Sequence, residues 1–147
     1  PIMFRPCPSA TTAAISLDLV AAGDTPEMGT PNGARVGAGP VMGLYSFHGR
    51  GTLNGVIPHP ALVSHTEASA EAAGLNLQRH ATVGLLTDAS YVQLVNGGTP
   101  VIDLSWPTRY THTGTEVCSL DDLEGLSRLI TQVVSNFPQS LERENTP

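Results

Sequence analysis

A histidine and an aspartate, each placed near the carboxyl end of an expected strand, are the side chains here best suited to metal chemistry. His112 lies in Trp106-Pro107-Thr108-Arg109-Tyr110-Thr111-His112-Thr113-Gly114-Thr115-Glu116-Val117. This stretch follows the apolar run Val101, Ile102, Asp103, Leu104, which reads as a buried strand. In an α/β sheet, the loop leaving a strand's carboxyl end is where ligands and metals are held. Glu116 and a fresh helix follow the histidine. Asp18 stands near the end of an earlier strand, opposite a face formed by Ile15, Leu17 and Leu19. If the two strands are neighbours, a carboxylate and an imidazole converge at one sheet edge, and these ligand types hold catalytic zinc or cobalt. On spacing alone, Asp18 also reads as a strand-end residue bonded to nearby amides.

The elements that must position this pair alternate along the chain. Strands are expected at residues 13–20, 41–47, 77–85 and 101–106. Gly23, Pro26, Gly29, Pro31 and Gly33 mark a turn-rich loop between the first two. Pro60 suits the first position of a helix that runs to about Ala73, with Leu62, Val63, Ala70 and Ala73 inward and Gly74 stopping it. Thr87 caps a further helix with Asp88 in its first turn, and Asn96-Gly97-Gly98 ends it. Ser119 with Asp122 approximates a capping box. Leu123, Leu126, Ile130, Val133 and Phe137 then recur at helical spacing until Pro138. Strands alternating with helices predict an α/β domain, its mixed, largely parallel sheet flanked by helices.

With 147 residues the chain suits one domain, spanning 1–147, with a frayed polar tail at 139–147. Net charge is −6, and all seven cations are scattered arginines without a lysine among them. Without a basic stripe, nucleic acid and anionic membrane are not expected partners. Cys7 and Cys118 have neither metal-site nor disulfide-framework spacing, so a reduced, cytoplasmic setting is the default. No apolar run approaches the ~20 residues of a membrane span, and the N-terminus lacks a signal-peptide pattern. The opening Pro1-Ile2-Met3-Phe4-Arg5-Pro6-Cys7-Pro8 has no start methionine, which suggests a piece of something longer.

The other candidates have plainer readings. His59 reads as a helix N-terminal residue. His65 lies six residues on, which is not the spacing of a helical metal pair. His48 reads as a loop residue, and His80 as a sheet residue satisfied by a neighbour. Arg109 and Glu116 flank His112 and could pair to hold its loop. Trp106 is expected in the core near the site. Cys118 lacks the base and orienter that a thiol nucleophile needs.

The segment Ile15-Ser16-Leu17-Asp18-Leu19-Val20-Ala21-Ala22-Gly23-Asp24-Thr25-Pro26 resembles a motif of the tetrahedral, or glutamyl, aminopeptidases. These dinuclear-metal enzymes form the forty-second metallopeptidase family, some of whose members carry an endoglucanase-like name. Gly39-Pro40, Thr87-Asp88-Ala89, Pro100-Val101-Ile102, Arg109-Tyr110-Thr111-His112 and Glu116-Val117 are similar to its later signposts, in order, over most of residues 13–137. The resemblance implies that Asp18 ligates one metal and His112 the other, with Asp24, Asp88, Arg109 and Glu116 in supporting or substrate positions. It implies two divalent ions, zinc or cobalt, ~3.5–4 Å apart, sharing a water that attacks a peptide carbonyl. A glutamate would take that water's proton and pass it to the leaving amine.

The chain also departs from the family. It contains no Glu-Glu pair, and the family's first histidine, bridging aspartate and glutamate pair all lie upstream of the motif that begins here. The first twelve residues offer no substitute. Leu85 and Leu86 stand where the family tends to have glycines, which weakens any substrate-loop role for Asp88. One ligand per ion and no base is too little for tight zinc binding. The chain is therefore expected to be the C-terminal part of a catalytic domain, inactive and metal-free alone. The alternatives are a non-catalytic structural or assembly module, and a separate subunit completed by an N-terminal half. Peptide substrate belongs to the complete enzyme, and a homo-oligomer or the missing half is the expected partner.

Overall fold

The first strand, β1 (Ala14–Ala21), enters directly from the apolar alternation of its sequence and runs parallel to β5 (Val101–Arg109) over its whole length. The computed structural model describes residues 13–26, 28, 33–48, 55–138 and 141. β2 (Val41–Phe47) pairs antiparallel with the middle of β5 and with the two-residue β3 (Gly55–Val56). Its other edge carries β4 (Gln78–Val83) in parallel, with a bulge between Gly43 and Tyr45. The sheet is mixed, and its two long pairings, β1 with β5 and β2 with β4, are the parallel ones.

Helices α1 (Pro60–Ala72) and α3 (Leu120–Ser135) cover one face of this sheet. Pro60 opens α1 where no backbone donor is needed, and His59 caps it, its Nδ1 accepting from the Ala61 amide at 3.3 Å. Gly74 takes a left-handed φ of 64° just past the end, as a helix stop requires. Met42, Ile102, Leu104, Leu62, Leu126 and Leu129 form the main core between sheet and helices. The opposite face carries the four-residue α2 (Ala89–Val92), seated on Val56 and Val101. Strands covered on both faces read as near-continuous apolar runs, and β5 does so except at Asp103, Ser105 and its last two residues, Thr108 and Arg109.

Several boundaries differ from the sequence reading. β4 stops at Val83 rather than Leu85, and β5 continues three residues beyond Trp106. The helix after Asp88 is a single turn followed by a 3-10 turn (Val95–Gly97), in which Asn96 adopts φ 56°. Thr87 does not cap it: its hydroxyl donates to the Asp103 carboxylate at 2.8 Å instead. The capping box at Ser119 is likewise not formed. Asp122, 1% exposed, accepts the amides of Gly37 and Gly39 at 2.7 Å each, tying α3 to the loop before β2. The fresh helix expected after Glu116 is preceded by a short strand, β6 (Val117–Cys118), which folds back on β5. His112 therefore sits in a hairpin loop. No helix among the described residues is long and apolar enough to cross a membrane. The expected frayed tail and the N-terminal segment carrying Cys7 fall almost wholly outside the described residues.

Candidate functional site

Sheet register decides which side chains share a face. Ser16 on β1, Asp103 on β5, Gly43 on β2 and His80 on β4 are successive partners in one row across four strands. Asp18 and Ser105 pair in the next row toward the carboxyl end of β1. All side chains of these two rows point away from α1 and α3, because paired sheet residues share a face. Above them lies a pocket of about 120 Å³. Asp18 and His112 both line it, together with Asp103, His80 and the apolar Leu85 and Leu86.

Asp18 is half-buried, and its Oδ1 accepts the Leu19 amide at 2.7 Å. β1 runs on to Ala21, so Asp18 lies inside the strand and not at its end; its bond to a neighbouring amide is as the plain reading expected, and it lines the pocket as well. His112 is exposed and holds φ 62°, with Tyr110 at 60° in the same loop. Left-handed backbone is unusual for residues other than glycine. Here side chains hold it. The Glu116 carboxylate accepts the His112 amide at 2.6 Å, and the Thr113 hydroxyl donates to the Tyr110 carbonyl at 2.7 Å.

The expected Arg109–Glu116 pair does not form. Arg109 instead grips Asp24 with two hydrogen bonds, Nε at 2.8 Å and Nη2 at 2.7 Å. Asp24 also accepts the Val36 amide at 3.0 Å. The Arg109 hydrogen bond holds the Asp24 carboxyl below the ordinary carboxylate range, against the opposing effect of burial. A planar fork matched to a carboxylate is the strong form of this bond. Since Arg109 ends β5 and Asp24 follows β1, the clasp fixes the base of the His112 hairpin against the exit of β1. Asp88 does not join the pocket. It lines a separate cavity with Ile15, Ser16, Leu17 and Ala89. Trp106 packs with the core on the helix-covered face, away from the pocket.

Two pocket residues escape the sequence reading. Asp103 is 6% exposed, and burial raises its carboxyl above the ordinary range despite bonds from the Thr87 and Ser16 hydroxyls, with the Asp18 charge adding to the rise. The signal was an aspartate set inside an apolar strand run, a position where carboxylates are rare unless partnered. His80 is the second, and here the sequence reading is corrected. It is a sheet residue, but both ring nitrogens are buried without a hydrogen-bond partner, and burial lowers its basicity. Its partner across the ladder is Gly43, which has no side chain to offer. The remaining histidines lie elsewhere: His65 bonds the Val133 carbonyl at 2.9 Å and meets Phe137 edge-on, and His48 directly follows β2.

No lysine or arginine lines the pocket. Among the described residues, no three His, Cys, Asp or Glu side chains converge as a metal site would require. The arrangement supplies one carboxylate and one imidazole at a rim, above a buried acid and an unpaired imidazole.

Comparison with known proteins gives a consistent result. The M42 glutamyl aminopeptidase family matches residues 6–129. The putative aminopeptidase SgcX of Escherichia coli K12 is 36% identical over 129 residues, which cover 85% of this chain and 35% of SgcX. A TET aminopeptidase from a marine sediment archaeon (Thaumarchaeota archaeon SCGC AB-539-E09) superposes with a TM-score of 0.77 at 26% identity, over 87% of this chain and 34% of its own. The TET1 peptidase of Pyrococcus horikoshii, which can assemble into a tetrahedron or a large octahedral shell, superposes with a TM-score of 0.58 at 25% identity, covering 81% and 32%. The chain thus spans about a third of the length of the relatives it matches.

Proposed function

Because this chain belongs to the M42 glutamyl aminopeptidase family, we propose that it forms one wall of a dinuclear-metal aminopeptidase site, in which Asp18 holds one ion and His112 the other. The observation that carries this reading is their presence on one pocket although they are far apart in sequence. Their donor types fit zinc or cobalt. Their number does not make a closed site, since each ion needs about three protein ligands. The remaining ligands and the general base belong to a preceding segment of the whole protein. When bound, the ions would supply the activated water for peptide hydrolysis. This chain's own part is to present the carboxylate and the imidazole, held by the Glu116 and Asp24–Arg109 contacts. The exposed thiol of Cys118 suits a reducing, cytoplasmic setting.

The 147-residue chain alone should hydrolyse neither leucyl nor glutamyl anilides, and should hold no stoichiometric zinc. Restored to its upstream sequence, it should cleave N-terminal residues in a chelator-sensitive way. In that protein, Asp18→Asn and His112→Gln should each reduce bound metal and lower kcat/KM by at least about 100-fold. Chelator-sensitive cleavage by the chain alone, or full activity in both variants, would end the proposal. Activity that appears only on mixing the chain with a separate N-terminal half would assign it as a subunit.

A further inference from the structure

We propose that Asp103 and His80, which flank Gly43 on one face of the sheet, form a subsite for the cationic side chain of a lysyl or arginyl residue at the peptide's N-terminus. The inference rests on the aminopeptidase reading above and goes beyond it to substrate class.

Burying a carboxylate is costly unless it is paired and hydrogen-bonded. Asp103 has two hydroxyl donors, Thr87 and Ser16, and neither carries charge. The pocket it lines holds no lysine or arginine to balance it. Arg109, at the end of the same strand, is engaged by Asp24. Independently, both nitrogens of His80 lie out of water without partners. Buried polar atoms are nearly always satisfied, so such a ring calls for a ligand. A neutral imidazole and a carboxylate can both accept from one ammonium or guanidinium group.

Position along the sheet sets the length of that ligand. Asp103 and His80 lie in the row two residues below Asp18. Two residues of strand span roughly 7 Å, comparable to the reach of lysine's four-carbon stem. A peptide whose reacting end sits beside Asp18 and His112 can therefore drop a basic side chain toward Asp103. Leu85 and Leu86 line the way and would shield its methylenes. Gly43 keeps the floor open, for a Cβ there would stand 3.1 Å from the Asp103 Cβ and 3.7 Å from its Oδ2.

The test uses the protein with its upstream sequence and compares lysyl, arginyl, leucyl and glutamyl anilides. Wild type should favour the two basic substrates. Asp103→Asn, which keeps the size and one acceptor oxygen but removes the charge, should lower kcat/KM for them at least about tenfold more than for the leucyl substrate, mainly through KM. His80→Phe should act in the same direction. A parallel titration of histidine-labelled protein with lysinamide should shift the His80 ring signals in wild type and leave them unmoved in Asp103→Asn. Cleavage without basic preference, or equal losses on all substrates, overturns the subsite while leaving the hydrolase reading intact. Lysinamide binding at His80 without any hydrolysis supports the subsite and fails the hydrolase reading. Neither binding nor basic preference sinks the inference.

Discussion

Asp24 and Asp122 are both carboxylates that hold loops, and the two respond differently to change. The folded pKa of Asp24 lies below its ordinary 3.8. The clasp with Arg109 therefore adds stability that is present above that ordinary value and is lost as pH falls through the folded one. In urea titrations from about pH 6 to about pH 3, the wild-type advantage over Asp24→Asn should stay level and then shrink at the acid end. A gap that widens on acidification would contradict the assignment. Asp122→Ala removes the acceptor of two amides, so an unfolding loss of about 2–4 kcal/mol is expected, read as a shift in urea midpoint. Asp18 and His112 were legible as candidates because strand ends and turn residues leave marks in sequence. The partners of Arg109, Asp122 and Thr87 were not, since each lies across the fold and competing local partners looked equally good. Asp103 carried a mark, a carboxylate inside an apolar run, but His80 did not, since its significance comes from a glycine on the neighbouring strand.

At the scale of elements, periodicity did well where burial is one-sided and long. β2 has its expected bounds, α1 differs by a single residue, and α3 follows the expected stripe through Val133, with the fully buried Leu129 added, but ends at Ser135, before Phe137. Leu129→Ala should cost about 2–5 kcal/mol in chemical denaturation, because the site is enclosed by Met42, Ile102 and Leu104 and cannot collapse freely. Short elements escaped because they owe their existence to contacts and not to pattern. α2 is one turn pressed on Val56 and Val101, and β6 exists because β5 extends far enough to receive it. Gly43→Ala tests the floor of the pocket. Its Cβ would crowd Asp103 and should reduce activity of the upstream-extended protein more than it reduces thermal stability.

At the scale of the molecule, the sheet formed by the described residues has two open sides. Among the described residues, no strand pairs with the outer edge of β1 or of β4. Leu17 on β1 is 52% exposed and Val83 on β4 is 70% exposed. Free edges with apolar side chains invite pairing with another chain. The isolated chain should self-associate in sedimentation experiments as its concentration rises, and the upstream segment should suppress this and protect β1 amides from hydrogen exchange. A strictly monomeric chain with β1 already protected would count against that. The coverage of about a third of each relative explains why the overall family was legible here while a complete set of ligands was not.

β5 turns Ile102 and Leu104 to the greasy side, and Asp103 and Ser105 to the wet one. Inserting or deleting a single amino acid upstream within this strand would swap the two sides at once. Folding and chemistry are thus locked to the same parity, and drift in one cannot occur without damaging the other.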